Sequence, residues 1–195
     1  MVQIAIFASG SGTNAQNIIE YFKGRNDISV SLVLSNKEDA YVLKRSQMLN
    51  VPSFVFSPKE LKETDIVEAK LSEYKIDFIV LAGFLLMVPA KLIKKFPDKI
   101  INVHPALLPK YGGKGMYGEH VHETVIANGE KESGISIHYV NERYDEGNII
   151  FQARCEVKMN DTPETLATRI HELEHKYFPQ VIEKVVQEKV QNSEF

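Results

Sequence analysis

The stretch INVHPALLP, at positions 101–109, joins a carboxamide and an imidazole to an apolar run that ends in prolines. Asn102 offers hydrogen-bond donors and an acceptor, and His104 adds a group that titrates near neutral pH. Residues i and i+2 of a strand point to the same side, so the two side chains are expected to meet in one small volume. Pro105 and Pro109 then fix the path of the chain and hold both groups in place. The pair predicts a functional site, whereas either residue alone would more often be structural.

A turn further along the chain, Tyr144-Asp145-Glu146-Gly147, supplies a carboxylate that could join this pair. An Asp two residues before a Gly is common in turns and indicates no function by itself. If Asp145 reaches His104, however, its negative charge stabilises the imidazolium ion. The pKa of His104 is then expected to rise.

The segment ASGSGTN, at positions 8–14, predicts an anion site between the first strand and the first helix. Its glycines let the backbone approach a ligand, and the unpaired N–H groups at a helix start carry partial positive charge. The pattern lacks the Gly-Lys-Ser/Thr of a P-loop and the last glycine of Gly-x-Gly-x-x-Gly, which disfavours a nucleoside triphosphate or NAD. A single phosphate near Gly12 stays open, as does the alternative in which Thr13 or Asn14 only caps the helix.

Several histidines raise the question of a metal site. His104, His120 and His122 could supply three imidazoles, but no Cys or carboxylate at ligand spacing supports them. His171 and His175 have H-x-x-x-H spacing on a predicted helix, yet the third-ligand motif of a zinc protease is missing. We therefore expect no metal, and we expect His171 to be a solvated helix residue.

The composition restricts the partners of the protein. The chain has 195 residues, 44% of them apolar, which is enough for one sizeable core. A net charge of −3 gives no basic field for nucleic acid or a membrane surface, and no apolar run is long enough to span a bilayer. The single cysteine, Cys155, excludes an internal disulfide and suits a reducing compartment. We expect a cytoplasmic protein that binds a small molecule or another protein.

Short β-branched runs alternate with helix-period segments, which is typical of βαβ units and a mainly parallel sheet. The expected strands are 2–8, 29–34, 51–56, 76–82, 99–103, 134–140 and 148–157. The expected helices begin near 14, cover 40–49, 59–74, 119–128 and 162–186, and include a short one that ends at 96. We predict the α/β class: one domain, 1–195, with an open Rossmann-like sheet, helices on both faces, late antiparallel strands and a long C-terminal helix. Ligands of such sheets bind beyond the carboxyl ends of strands, where Asn102 and His104 fall.

Six segments together resemble the phosphoribosylglycinamide formyltransferases, a family of folate-dependent enzymes of purine synthesis. In chain order they are FASGSGTN, VLSNK, IVLAGF, INVHPALLPKYGG, GISIHYVNERYDEGNIIFQ and LEHKYFPQVI. The resemblance extends from about residue 2 to residue 186. Its Asn-x-His-Pro-x-Leu-Leu-Pro core is shared by the wider superfamily of 10-formyltetrahydrofolate transferases and hydrolases, so it indicates formyl chemistry. The Gly-rich turn and the Glu-His pair near the C-terminus indicate glycinamide ribonucleotide as the acceptor.

The resemblance implies a role for each matching position. The catalytic group would be Asn102, His104 and Asp145. The acceptor's 5′-phosphate would lie on Gly12, Thr13 and Asn14, its ribose hydroxyls would bind Glu174, and Pro105 would help to shape its site. The folate pteridine would be lined by Leu85, Leu86, Met87, Val88, Val140, Asn141 and Tyr144. The N-terminal half, about 1–100, would bind phosphate, and residues from about 80 to 190 would bind folate and catalyse the transfer.

The implied reaction can be argued from these side chains. An amine attacks a formyl carbonyl, negative charge develops on oxygen, and Asn102 and protonated His104 donate hydrogen bonds to it. Asp145 would keep His104 charged and relay the amine proton through water to the departing folate nitrogen. The donor is 10-formyltetrahydrofolate, no metal or covalent intermediate is required, and a monomer or weak homodimer is expected.

Two features depart from the family pattern. Leu86 falls in the segment where the family often has Arg, so a basic group near the folate is absent. The Gly-rich segment 112–119 is longer than in the shortest members and is a candidate lid. Among the alternatives, methionyl-tRNA formyltransferases and formyltetrahydrofolate hydrolases are longer proteins, which disfavours both. A nucleotide-binding module without catalysis would require the set of Asn102, His104 and Asp145 to be coincidental.

Overall fold

A seven-stranded sheet forms the centre of the computed structural model, which describes residues 1–191. In chain order its strands are β1 (Val2–Phe7), β2 (Ile28–Ser35), β3 (Ser53–Val55), β4 (Phe78–Leu81), β5 (Ile100–His104), β6 (Glu132–Tyr139) and β7 (Ile149–Glu156). Their order across the sheet is β3-β2-β1-β4-β5-β6-β7. The first five pair in parallel, whereas β6 is antiparallel to both β5 and β7. The expected mainly parallel sheet with late antiparallel strands is confirmed.

Helices cover both faces of this sheet. They are α1 (Thr13–Phe22), α2 (Tyr41–Met48), α3 (Pro58–Glu63), α4 (Ile66–Glu73), α5 (Ala90–Lys95), α6 (Glu119–Ala127) and α7 (Pro163–Gln191). Neighbouring residues of β1 enter two separate core clusters, Ile4 and Ile6 on the side of α1 and α7, Ala5 and Phe7 on the side of α3 to α5. Burial on both faces explains why this strand is a continuous apolar run. None of these helices, within residues 1–191, is both long and apolar enough to cross a membrane.

The single helix expected at 59–74 is wrong, because the chain forms α3 and α4 there instead. Thr64 interrupts the helix with an extended backbone (φ −126°, ψ 169°). Its hydroxyl donates to the carbonyl of Glu60 at 2.8 Å and accepts from the N–H of Ile66 at 3.4 Å. Hydroxyl side chains compete with a helix for backbone partners in this way. Asp65 then takes the N-cap position of α4.

The order of the strands reverses between β1 and β4. From β1, the strands β2 and β3 are added on one side of the sheet, and β4 to β7 are added on the other. In open α/β sheets, ligands bind at such a crevice, beyond the carboxyl ends of the strands. The turn 8–12 follows β1, and the segment 83–88 follows β4. The N–H of Ser9 donates to the carbonyl of Gly83 at 2.9 Å. The two segments predicted to bind phosphate and folate are therefore neighbours.

Candidate active site

Gly12 is the N-cap of α1 and has a left-handed backbone, with φ at 76°. A β-carbon here would lie 2.4 Å from Cγ2 of Val42, so both the backbone angle and the packing against α2 require glycine. Thr13 and Asn14 lie inside the helix, and no side chain caps it. The alternative in which Thr13 or Asn14 serves only as a cap is therefore wrong.

The first turn of α1 has the properties of an anion site. It contains no acidic residue, and the first N–H groups of a helix have no partner within the helix. Two contacts from α2 hold the preceding turn in place. Nε of Arg45 donates to the carbonyl of Ser11 at 2.8 Å, and the N–H of Val42 donates to the carbonyl of Gly10 at 3.1 Å. Contacts within the protein therefore support the shape of this turn.

Glu174 of α7 is buried beside this turn. Its Oε2 accepts a hydrogen bond from Nδ2 of Asn14 at 2.8 Å and lies 2.9 Å from Nδ1 of His171. His171, which was expected to be solvated, has a side chain that is 57% exposed, yet its ring binds Glu174. This hydrogen bond raises the pKa of His171, and partial burial opposes it more weakly. The structure thus brings Glu174 to the predicted phosphate turn and adds His171, for which the sequence predicted no role there.

Among the residues that the structure describes, two buried polar atoms near Glu174 have no hydrogen-bond partner: Oδ1 of Asn14 and Nδ1 of His122. Burial lowers the pKa of His122. The charge of His171 lowers this pKa further, whereas the charge of Glu174 raises it. The α6 residue His122 is thus close enough to the Glu174 site to feel its charges. Buried polar atoms without partners call for an explanation, and a bound polar ligand is one.

Within residues 1–191, no group of three or more His, Cys, Asp or Glu side chains is arranged to hold a metal ion. His120 lies on the exposed side of α6, where its Nδ1 is 3.4 Å from Oε2 of Glu123. His122, two residues later, is buried. The two histidines therefore point into different surroundings.

Asn102 faces His138 across the antiparallel pair of β5 and β6. Nδ2 of Asn102 is 3.1 Å from Nε2 of His138, and Nδ1 of His138 is 2.8 Å from the carbonyl of Tyr139. A carbonyl only accepts, so Nδ1 carries the proton and Nε2 accepts from the Asn102 amide. His138 is a residue of the site that the sequence analysis missed. Its alternation on a strand that pairs with β5 is the signal that could have found it.

His104 is buried at the end of β5, and both of its ring nitrogens face protein groups. Nε2 is 2.7 Å from the carbonyl of Tyr111, so this nitrogen carries a proton and donates it. Nδ1 is 3.6 Å from Oδ2 of Asp145. The structure therefore brings together the imidazole and the carboxylate that the sequence predicted as a pair.

The expected rise in the pKa of His104 is wrong. Burial lowers this pKa below its usual value, and the charge of Asp145, which acts in the opposite direction, compensates only in part. A carboxylate stabilises imidazolium, but the loss of water around a buried ring disfavours the ion more strongly here. The net effect of its surroundings therefore favours the neutral form of His104.

Asp145 lies between two imidazoles. Its Oδ1 is 3.6 Å from Nε2 of His138, and its Oδ2 accepts from the N–H of Gly113 at 2.9 Å. Burial alone would raise the pKa of Asp145, but His138, the charge of His104 and the Gly113 hydrogen bond together lower it. Asp145 is thus a carboxylate that faces both rings and can accept a proton from Nδ1 of His104 when that ring is charged.

Ser136 and Gln152 hold the segment after β5, a role that the sequence did not indicate. The buried Oγ of Ser136 accepts from the N–H of Leu108 at 2.9 Å and donates to the carbonyl of Ala106 at 2.7 Å. Nε2 of Gln152 donates to the same Oγ at 2.8 Å and to the carbonyl of Leu108 at 3.0 Å. Pro105, which is half-buried, begins this segment. Hydrogen bonds as well as prolines therefore fix the exit of β5.

Ser9 links the predicted phosphate turn to the predicted folate segment. The N–H of Leu85 donates to its Oγ at 3.0 Å, and that hydroxyl donates to Oδ1 of Asn36 at 2.6 Å. Ser9 is itself buried. A change in one segment is therefore felt directly by the other.

The residues predicted to line the folate site differ in their exposure. Leu85 and Met87 are exposed and available to a ligand. Val88 is buried in the core on the side of α3 to α5, and Leu86 and Val140 pack against the same core. These three residues support the wall of the site more than they face a ligand.

A cavity of about 520 Å³ opens beside Asp145. Its walls are Leu108, Pro109, Gly112, Gly113, Tyr144, Asp145, Glu146, Gly147 and Ile149. Tyr144 is thus the one predicted folate residue that lines it, whereas Asn141 is exposed and uses Oδ1 to accept from the N–H of Arg143 at 2.9 Å. The carboxylate of the site reaches this cavity, and His104 is not among its walls.

The chain is similar to known formyl transferases in sequence and in fold. The formyl transferase family profile matches residues 2–182. A chloroplastic phosphoribosylglycinamide formyltransferase of Arabidopsis thaliana is 40% identical over 96% of this chain, which spans 66% of that relative, just under two thirds. The phosphoribosylglycinamide formyltransferase of Bacillus subtilis (strain 168) is 37% identical over 95% of both chains. The crystal structure of glycinamide ribonucleotide transformylase 1 from Symbiobacterium toebii is similar to this fold, with a TM-score of 0.87 at 32% identity. The alignment covers 96% of this chain and 88% of that chain. The chain belongs to the formyl transferase family.

Proposed function

We propose that this protein transfers the formyl group of 10-formyltetrahydrofolate to the amine of glycinamide ribonucleotide. The observation that carries the proposal is the approach of Asp145 to His104, 3.6 Å apart at the carboxyl end of β5 and next to Asn102. Relatives that align with nearly the whole chain bear the name phosphoribosylglycinamide formyltransferase, which supports the same reaction.

The acceptor binds along the α1 and α7 side of the crevice. Its 5′-phosphate lies on the N–H groups of Gly12, Thr13 and Asn14, where the helix dipole favours an anion. Its ribose hydroxyls donate to the carboxylate of Glu174, which already collects two hydrogen bonds. A hydroxyl-rich ligand also supplies partners for the two unpaired atoms, Oδ1 of Asn14 and Nδ1 of His122. Pro105 shapes the amine end of this site.

The reaction forms one C–N bond and breaks another. The acceptor amine attacks the formyl carbon, the carbonyl oxygen becomes an oxyanion, and the bond to the folate nitrogen then breaks. The attacking nitrogen loses a proton and the departing folate nitrogen gains one. Asn102 donates to the oxyanion from its amide, whose orientation is set by the acceptor Nε2 of His138.

His104 is the second donor to the oxyanion. Its Nε2–H is engaged with the carbonyl of Tyr111, so the substrate oxygen takes the place of that carbonyl. Asp145 faces the other nitrogen, Nδ1, and stabilises the imidazolium as negative charge develops nearby. The same carboxylate reaches the cavity and relays the amine proton through water to the folate nitrogen.

The formyl folate enters through the cavity beside Asp145, about 520 Å³ in volume. Tyr144 contributes to its wall, and the exposed Leu85 and Met87 extend an apolar surface from the end of β4. Leu86, Val88, Val140 and Asn141 complete the predicted folate set. Attack of an amine on a formyl group requires no metal, so the proposal includes none.

Both halves of the chain contribute to one site, which supports a single functional domain over 1–195. Gly12 comes from the half at about 1–100, whereas His104, Asp145 and Glu174 come from the region of about 80–190. Every residue of the proposed machinery belongs to one chain, so a monomer or weak homodimer suffices. The small-molecule substrates and the single free cysteine favour a cytoplasmic enzyme.

The test is to mix the protein with 10-formyltetrahydrofolate and glycinamide ribonucleotide and to follow the folate absorbance. Loss of formyl folate that depends on the acceptor supports transfer. Loss without acceptor would support a hydrolase instead, and no loss would support a nucleotide-binding module. Mass measurement of formylated glycinamide ribonucleotide identifies the product directly.

A further inference from the structure

Tyr111 links His104 to the turn that follows α6. Its carbonyl accepts from Nε2 of the buried His104 at 2.7 Å. Its phenol donates to Oε1 of Glu130 at 2.8 Å and accepts from Nδ2 of Asn128 at 3.1 Å. Its backbone has φ at 58°, a left-handed conformation that is rare for a bulky residue. Contacts of the side chain therefore hold the backbone in a conformation that it would not choose by itself.

The anchor of the phenol is itself well supported. Asn128 is the C-cap residue of α6, and Glu130 lies in the short turn from α6 to β6, where its N–H donates to the carbonyl of Val125 at 3.3 Å. Nζ of Lys110 is 2.8 Å from the same Oε1 of Glu130. Lys110 and the phenol lower the pKa of Glu130, so it stays a carboxylate at neutral pH. The phenol is thus bound to a fixed charge on a rigid turn.

The residues after Tyr111 hold the partner of His104. The N–H of Gly113 donates to Oδ2 of Asp145 at 2.9 Å, and this is the oxygen that faces Nδ1 of His104 at 3.6 Å. A β-carbon on Gly112 would lie 3.2 Å from Cβ of Asp145, so the backbone is packed closely against this carboxylate. One short segment therefore touches both members of the catalytic pair.

We propose that Tyr111 is a positioning residue, whose anchored phenol places its carbonyl so that His104 carries its proton on Nε2 in the absence of substrate. The formyl oxygen is also an acceptor, so it replaces this carbonyl without any change in the proton's position. The inference rests on the proposed function, in which the Nε2–H of His104 donates to the oxyanion.

The position of the proton matters because a competing acceptor lies on the other side of the ring. Asp145 faces Nδ1, and a carboxylate attracts an N–H more strongly than a neutral carbonyl does. If the carbonyl of Tyr111 moves away, the proton of the neutral ring moves to Nδ1 and binds Asp145. Nε2 of the neutral ring then bears a lone pair and repels the formyl oxygen, so His104 can donate only after a second proton reaches Nε2.

The test compares Tyr111→Phe with Tyr117→Phe. Tyr117 is an exposed tyrosine in the Gly-rich segment 112–119, which follows Tyr111 directly. Protein labelled with ¹⁵N-histidine is examined by long-range ¹H–¹⁵N correlation at roughly pH 7.5, above the usual histidine pKa. His104→Ala identifies the His104 signals among those of the six histidines. We expect the Nε2–H form in the unchanged protein and in Tyr117→Phe, and a shift towards Nδ1–H in Tyr111→Phe. An unchanged His104 signal in Tyr111→Phe overturns the proposal.

A second variant, Glu130→Ala, removes the same anchor from its other end. We expect each single variant to lower kcat by roughly ten- to a hundredfold with little change in KM, as for a small misplacement of a reacting group. The double variant should be no worse than either single one, because both remove one interaction. Multiplied effects, or a loss confined to KM, would overturn the positioning role. The tautomer measurement needs no substrate, so a protein without transferase activity still gives an answer about Tyr111.

Discussion

Asp145 and His104 face each other across 3.6 Å, although one belongs to the loop between β6 and β7 and the other ends β5. The carboxylate raises the pKa of the ring, and burial lowers it by more. Burial therefore favours the neutral ring of His104, and Asp145 favours its charged form. Two opposing effects on one ring make the pH dependence of the reaction a sensitive test.

We expect Asp145→Asn to lower kcat by roughly a hundredfold, the usual contribution of a positioned acid or base. The variant loses the charge that raises the pKa of His104, so this pKa falls further. The protonated ring is the active form, and activity is lost as pH rises through its pKa. The falling limb of the plot of kcat against pH should therefore move to lower pH. The control is Glu142→Gln, which changes an exposed carboxylate in the same loop and is measured over the same pH range. A limb that moves to higher pH would contradict the assignment.

His104→Ala removes one donor to the oxyanion. Such a loss costs roughly a hundred- to a thousandfold in kcat. The matched control is His120→Ala, because the side chain of His120 lies on the exposed side of α6, where its Nδ1 is 3.4 Å from Oε2 of Glu123. Circular dichroism should report the same fold for both variants, and steady-state assays should separate them. Near-normal kcat in His104→Ala would remove His104 from the mechanism.

The positions of Asn102 and His104 could be predicted because a strand has a strict two-residue alternation and ligands collect at strand ends. The tight turn at Gly12 could be predicted as well, because glycines between a strand and a helix indicate a turn with a left-handed backbone. His138 was missed because its role depends on which strand lies beside β5. That pairing is a tertiary property, and one strand pattern alone does not specify its neighbour.

The pKa of His104 could not be predicted from residue types, because a carboxylate and burial act in opposite directions and only the structure gives their balance. The break between α3 and α4 has a similar origin. The window 59–74 has helical periodicity, and a single hydroxyl at Thr64 decides the outcome locally. Ser136 was overlooked because serine is common on strands and its three hydrogen bonds become visible only when the chain is folded.

Gly12→Ala should damage both stability and acceptor binding. The new β-carbon would lie 2.4 Å from Cγ2 of Val42, and the positive φ of 76° is unfavourable for alanine. We expect a loss of about 1–3 kcal/mol in unfolding free energy, the usual cost of overpacking. KM for glycinamide ribonucleotide should rise more than KM for the folate. Gly10→Ala is the matched control, because no atom of the described residues lies within 4 Å of a β-carbon added at Gly10. If both changes lowered the unfolding free energy equally in urea, the packing argument would be contradicted.

Glu174→Gln keeps the shape of the side chain and removes its charge. Asn14 and His171, which both contact Oε2 of Glu174, would then contact a neutral amide, and the ribose hydroxyls lose a carboxylate acceptor. We expect KM for glycinamide ribonucleotide to rise on the order of tenfold, which corresponds to one hydrogen bond, with a smaller change in kcat. The pKa of His171 should fall, because its hydrogen bond to Glu174 is what raises it. Kinetics test the first effect and histidine NMR tests the second, with Glu172→Gln, at an exposed neighbouring position, as the control. An unchanged pKa of His171 would contradict its hydrogen bond to Glu174.

Ser136→Ala should destabilise the segment that carries Pro105 away from β5. The change leaves the N–H of Leu108 without its acceptor and removes one partner of Gln152, both inside the protein. A buried donor without a partner costs about 1–3 kcal/mol, so urea unfolding should report a loss of this size. Ser133→Ala is an informative control, because its Oγ is buried and has no hydrogen-bond partner within residues 1–191. Removing that hydroxyl should leave stability unchanged or raise it, and the opposite order of the two variants would mean that Ser136 does not hold the exit of β5. Because the segment leads directly from His104, we expect Ser136→Ala to lower kcat as well, at temperatures where the variant is still folded.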